Sequence, residues 1–71
     1  MKPDEYRNAI KALGLSQVAA ARLLGVDERT SRRWARGERD VPAPVVRFLQ
    51  YLILTGKSGA YATQKLAPLF G

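Results

Sequence analysis

Residues 16–37 read SQVAAARLLGVDERTSRRWARG, and the fold turns on this stretch. Ser16 is a good N-cap, because its hydroxyl can accept from a free amide in the first turn of a helix that runs to about Leu24. Gln17, Ala20, Ala21 and Leu24 share one face of that helix, and the small alanines admit a second helix at close range. Gly25 supplies the positive φ of a tight turn, Val26 is a buried pin after it, and Asp27 caps a third helix from about Glu28 to Arg36. Gly37 closes that helix. Two short helices joined by a three-residue turn have the spacing of a helix-turn-helix.

Working outward, Pro3 suits a first helical position, and Asp4 and Glu5 lie where the helix dipole favours acids. Tyr6, Ala9, Ile10 and Leu13 follow at helical spacing and Gly14 ends the segment, so helix one is expected over residues 3–13. On the other side, residues 38–43 form a charged, proline-containing connection. Pro44 then opens helix four, Val45 to about Thr55, with Gly56 as its stop. Helix four is apolar at Val45, Val46, Phe48, Leu49, Tyr51, Leu52, Ile53 and Leu54, which is more than one stripe facing one core. Lys57 to Gly59 reads as a flexible turn, and Tyr61 to Leu66 as a last short helix before Pro68. The fold class that follows is all-α, a four- to five-helix bundle. Residues 1–56 form the helix-turn-helix domain, and residues 57–71 form a tail or short helix that could serve dimerisation or a partner.

A chain of 71 residues accommodates one small core. It has no cysteine and no histidine, hence no disulfide framework and none of the soft ligands of a structural zinc site, which points to a cytoplasmic protein held by helix packing. Met1 to Glu5 carries charges where a signal peptide needs an apolar run. The most apolar stretch, Val45 to Leu54, is interrupted by Arg47 and Gln50 and falls short of the roughly 20 residues of a membrane span. Enzymatic function is not expected. The acids are Asp4, Glu5, Asp27, Glu28, Glu38 and Asp40, and a cap and a first-turn acid explain Asp27 and Glu28 more simply than a magnesium site does. No cofactor, metal or small-molecule pocket is implied.

Twelve Lys and Arg against six Asp and Glu give a formal charge of +6 and a pI near 10.3, so polyanions are the natural partners. At about 100° per residue, Arg29, Arg32, Arg33 and Arg36 fall within roughly a third of the circumference of helix three. Thr30, Ser31 and Trp34 point the other way, toward helices one and two. A row of arginines is usually a solvated surface. Here it lies on the second helix of the motif in a basic chain, and it is expected to stand free of acids at i±4 that would pair it off. Such a helix can enter the major groove, where guanidinium groups bond guanine O6 and N7 or clamp phosphates. Trp34 is read as a core residue and not as a base-stacking one.

Leu15-Ser16-Gln17, Ala21, Leu24-Gly25-Val26, Thr30, Arg33-Trp34 and Gly37 resemble the Cro and phage-repressor type of helix-turn-helix protein, with the likeness covering roughly residues 3–55. The resemblance implies a lambda-repressor-like fold and a transcriptional regulator of repressor type that binds double-stranded DNA, of the kind encoded by phages and mobile elements and often controlling its own promoter. It places Glu28, Arg29, Arg32 and Arg33 at base edges and Gln17 on a phosphate, with Arg36 and Arg39 as further backbone contacts. Gln17 could instead be a second capping residue beside Ser16, Glu28 a first-turn acid, and Arg39 free in solvent. The chain departs from the family at Ser31, where a buried aliphatic residue is usual, and at Ala35 and Arg36, where an acid and an asparagine are common. The Ser31 hydroxyl can bond back to a carbonyl one turn earlier, with Trp34 supplying the missing volume.

Two alternatives stay open: an antitoxin or operon accessory protein whose tail holds a second protein, and a pure protein–protein interaction module whose arginines confer only solubility. The apolar excess of helix four further suggests a homodimer on an inverted-repeat operator. Its interface is expected at Leu52, Tyr61, Leu66, Leu69 and Phe70, with the two recognition faces roughly 34 Å apart. The competing explanation is a tail folded back on helix four within one chain.

Overall fold

Local signals set most of the helix boundaries. In the computed structural model, which describes residues 1–65, helix α1 spans Pro3–Ala12, α2 Gln17–Leu24, α3 Glu28–Arg36, α4 Ala43–Leu54 and α5 Gly59–Lys65. The architecture is all-α, with five helices and no strand among the described residues. No helix of the described residues is long and apolar enough to cross a membrane.

The Glu5 carboxylate reaches back to the Lys2 amide at 2.7 Å, which satisfies one orphan donor at the start of α1. Ser16 caps α2 as expected, its Oγ accepting from the Ala19 amide at 3.1 Å. Asp27 occupies the cap position of α3 with extended backbone, but its carboxylate accepts no amide. Its carbonyl starts the helix instead, taking the Ser31 amide at 3.1 Å. Helix four starts at Ala43, two residues before the expected Val45, because Pro44 fits anywhere in the first turn, where amides lack helical partners.

Gly25 shapes the helix-turn-helix. Its φ is +72°, and the turn is closed by the Val26 amide bonding the Ala21 carbonyl at 3.0 Å and the Gly25 amide bonding that of Arg22 at 3.3 Å. A β-branched side chain is a genuine outlier in this left-handed region, so Gly25→Val is expected to cost about 2 kcal/mol and to lower Tm by on the order of 10 °C. Thermal unfolding followed by circular dichroism checks this, and an unchanged Tm would mean the turn is misplaced.

The core gathers residues from all five helices: Tyr6, Ile10 and Leu13 from α1 and its end, Ala20, Leu23 and Leu24 from α2, Trp34 and Ala35 from α3, Val45, Leu49 and Leu52 from α4, and Ala62 from α5. Leu23, Leu24, Leu49 and Leu52 are fully buried, each contributing roughly 1.5–3 kcal/mol. Val41, inside what reads as a charged connection, is also buried and plugs the core between α3 and α4. Leu23 joins the expected inner face of α2.

Residues 57–65 are joined to the core. The supposed flexible turn 57–59 ends in a buried residue, Gly59, whose amide donates to the Leu13 carbonyl at 2.9 Å. A Cβ there would lie 2.8 Å from that same oxygen and collide with the Leu15 side chain, so a glycine is needed for α5 to approach the α1–α2 turn. Helix α5 therefore starts two residues earlier than the expected Tyr61 and packs on α2, with Ala62 fully buried. Ala62 of α5 thus belongs to the same core as α1–α4.

Candidate nucleic-acid interface

Helix α3 has two chemically opposite faces. Ser31, Trp34 and Ala35 are buried, and Thr30 is half-buried. Trp34 meets the Tyr6 ring edge to face, with centroids 5.7 Å apart and planes at 81°, so it is a core residue closed off from any base. On the outer face, Glu28, Arg29, Arg32, Arg33 and Arg36 line one open cleft together with Glu38. The five residues singled out on this helix are thus side by side.

The arginines are not all unpaired, contrary to expectation. Glu28 stands four residues before Arg32, and the two side chains form an ion pair. Arg36 lies 3.8 Å from Glu38 in the following turn. The side chains of both pairs are 40–70% exposed. Contacts of this kind contribute little and exchange readily for a stronger anion. The guanidiniums of Arg29 and Arg33 have no hydrogen-bond or ion-pair partner among the described residues. Four guanidiniums against two carboxylates leave the cleft cationic.

Gln17 does not act as a second cap. Its Oε1 accepts from Ser31 Oγ at 2.7 Å, and Ser31 Oγ lies 2.7 Å from the Tyr6 hydroxyl. A serine has one hydroxyl proton. With that proton committed to Gln17, Tyr6 donates to Ser31, and the chain runs from Tyr6 through Ser31 to Gln17. Ser31 thus makes no bond to the carbonyl one turn earlier, the role its sequence position suggested. The hydroxyl of the fully buried Tyr6 satisfies the serine. Burial raises the Tyr6 pKa above the ordinary tyrosine value, so the phenol stays a donor.

The oxygen of the Gln17 amide is therefore occupied, and Gln17 lines a second cleft with Arg7, Arg32, Ala35 and Arg36. Arg7 is a residue that sequence reasoning missed. Its guanidinium donates to the Ala35 carbonyl 28 residues away, which ties α1 to α3 and adds a cation beside Gln17. No local signal marks it, since only the packing of α1 across α3 brings it there. Arg39 is exposed in the connection after α3 and lines neither cleft.

The residues expected at a dimer interface are divided by the structure. Leu52 is 0% exposed and belongs to the core, so it has no surface to offer a second subunit. Tyr61 is exposed, while Leu66, Leu69 and Phe70 lie outside the described residues. The apolar excess of α4 surfaces instead at Tyr51, Ile53 and Leu54, the last 86% exposed. Lys57 Nζ lies 5.2 Å from the Tyr51 ring centre and 5.6 Å from that of Tyr61, holding the two rings on one side of the molecule. The described part of the tail packs on α2 and leaves these α4 residues uncovered.

No family model, no curated protein and no solved structure matches this chain.

Proposed function

We propose that the protein is a sequence-specific regulator of transcription that binds double-stranded DNA through α3, acting as a repressor by occupying its site. One observation carries this reading: α3 is anchored through Ser31, Trp34 and Ala35 and turns Arg29, Arg32, Arg33 and Arg36 outward in a single cleft. A short, rigid, cationic helix on the second limb of a helix-turn-helix is the element that fits a major groove about 12 Å wide. Gln17 and Arg7 sit beside it where the groove wall would pass, and their donors suit phosphate oxygens. Repression requires nothing of the chain beyond occupancy of a promoter.

A two-fold dimer is part of the proposal, supported by the exposed Tyr51, Ile53, Leu54 and Tyr61. A single helix of this length reads only a few base pairs, and a second copy doubles the site. The same patch is the observation that would favour an accessory protein with a different partner.

Titration of labelled duplex DNA at several salt concentrations tests the function. Log affinity is expected to fall linearly with log salt, with a slope of roughly −0.9 for each phosphate neutralised, and footprinting is expected to show an inverted repeat. Salt-independent or undetectable binding would sink the DNA reading. A monomer that protects one asymmetric half-site would remove the dimer and leave the rest.

A further inference from the structure

We infer that the half-site read by α3 is built of G·C pairs, with a cytosine beside a guanine opposite Glu28 and Arg32. This inference rests on the DNA-binding reading and deepens it. The cleft is lined by Glu28, Arg29, Arg32, Arg33, Arg36 and Glu38, which supply only cationic donors and anionic acceptors. Guanine offers two acceptors, O6 and N7, that a guanidinium spans. Cytosine offers the N4 amine, which a carboxylate accepts. Adenine places a donor beside an acceptor and is matched by an amide, while thymine adds a methyl group that needs an apolar contact. Among the described residues, no amide and no apolar side chain lines this cleft.

The amide nearest to α3 is withdrawn from base reading. Bidentate recognition of adenine needs both the oxygen and the nitrogen of a glutamine, and the Gln17 oxygen is held by Ser31, itself held by Tyr6. With the oxygen fixed on Ser31, the amide nitrogen is the unengaged donor, and it suits a phosphate. A carboxylate at Glu28 is in turn poorly suited to adenine, where N7 repels it beside the amine. Because Glu28 and Arg32 form one ion pair, they present an acceptor and a fork of donors together, the complement of cytosine N4 next to guanine O6 and N7.

Selection from a random duplex pool with the full chain at low salt tests this. Retention of the pool reports whether the chain binds DNA at all, and a failure at that step removes the DNA reading together with the inference. With retention, the enriched half-site is expected to hold G or C at most positions facing α3, with a preference of about tenfold or more per guanine contacted. An A·T-rich half-site, or retention with no base preference, overturns the inference while leaving DNA binding intact. Glu28→Gln exchanges the carboxylate for an amide at an exposed site. It is expected to move one selected position from C toward A, and an unchanged base at that position overturns the assignment of Glu28 to cytosine.

Discussion

Trp34→Ala is expected to remove a large fraction of the stability of the fold at 25 °C. Trp34 is 4% exposed and packs edge to face on the fully buried Tyr6 at the junction of α1 and α3. Truncating a buried tryptophan removes its transfer free energy and opens a cavity that neighbours fill only in part, at a cost of roughly 3–5 kcal/mol. A domain of 71 residues has a total stability of roughly 4–11 kcal/mol by the usual per-residue figures. The loss takes a large fraction of that, and all of it at the lower end. Trp34→Phe keeps an aromatic edge against Tyr6 and is expected to cost less than half as much. Urea unfolding followed by far-ultraviolet circular dichroism measures both, since the substitution removes the fluorophore. A Trp34→Ala variant with an unaltered urea midpoint would place this side chain outside the core and free it for another role.

Arg33→Ala and Arg32→Ala are expected to lose discrimination at one base position each, by roughly 1–3 kcal/mol. Arg33 is half-buried and unpaired among the described residues, so its removal deletes a contact and frees nothing. Arg32 is paired with Glu28, and its removal also leaves that carboxylate facing the groove alone, which makes Arg32→Ala the more damaging of the two. Arg36 sits at the end of α3, 70% exposed and loosely paired with Glu38. As a phosphate contact, its replacement by alanine should weaken all sequences alike and make the salt slope shallower by about one unit. Affinities for the selected site and single-base variants, each at three salt concentrations, separate the two patterns. If all three substitutions left preference and affinity intact, α3 would not be the reading element.

Much of the path to these expectations is legible in short windows of sequence. The Ser16 cap, the turn at Gly25, the stop at Gly37 and the cationic stripe from Arg29 to Arg36 depend on residues within about one helical turn of one another, where propensity, capping and spacing act directly. All of them appear in the structure at their expected positions, and with them the two-faced helix α3. Even the Glu28–Arg32 pair was open to sequence reasoning, as an i, i+4 contact within the same helix. It lay hidden because Glu28 reads first as an acid serving the helix dipole.

The remaining features depend on contacts between segments far apart in the chain. Tyr6 meets Ser31 across 25 residues, Gln17 meets Ser31 across 14, and Arg7 meets the Ala35 carbonyl across 28. Each partner is ordinary by itself, and only the packing of α1 and α2 against α3 turns a buried serine into the centre of a polar chain. Helix four shows the same division. Its sequence announces more apolar surface than one core can cover, but a helix apolar on several sides does not say which side faces inward. The approach of α1 to α4 settled that, burying Val45, Leu49 and Leu52 and leaving Leu54 outside. Gly59 read as a loop residue because nothing near it in sequence reveals the Leu13 carbonyl and the Leu15 side chain that leave no room for a Cβ. Local chemistry therefore determined helices α1 to α3, their ends and the charged face, while burial, amide orientation and the start and seat of α5 were decided by non-local packing, whose energies depend on neighbours that no short window contains.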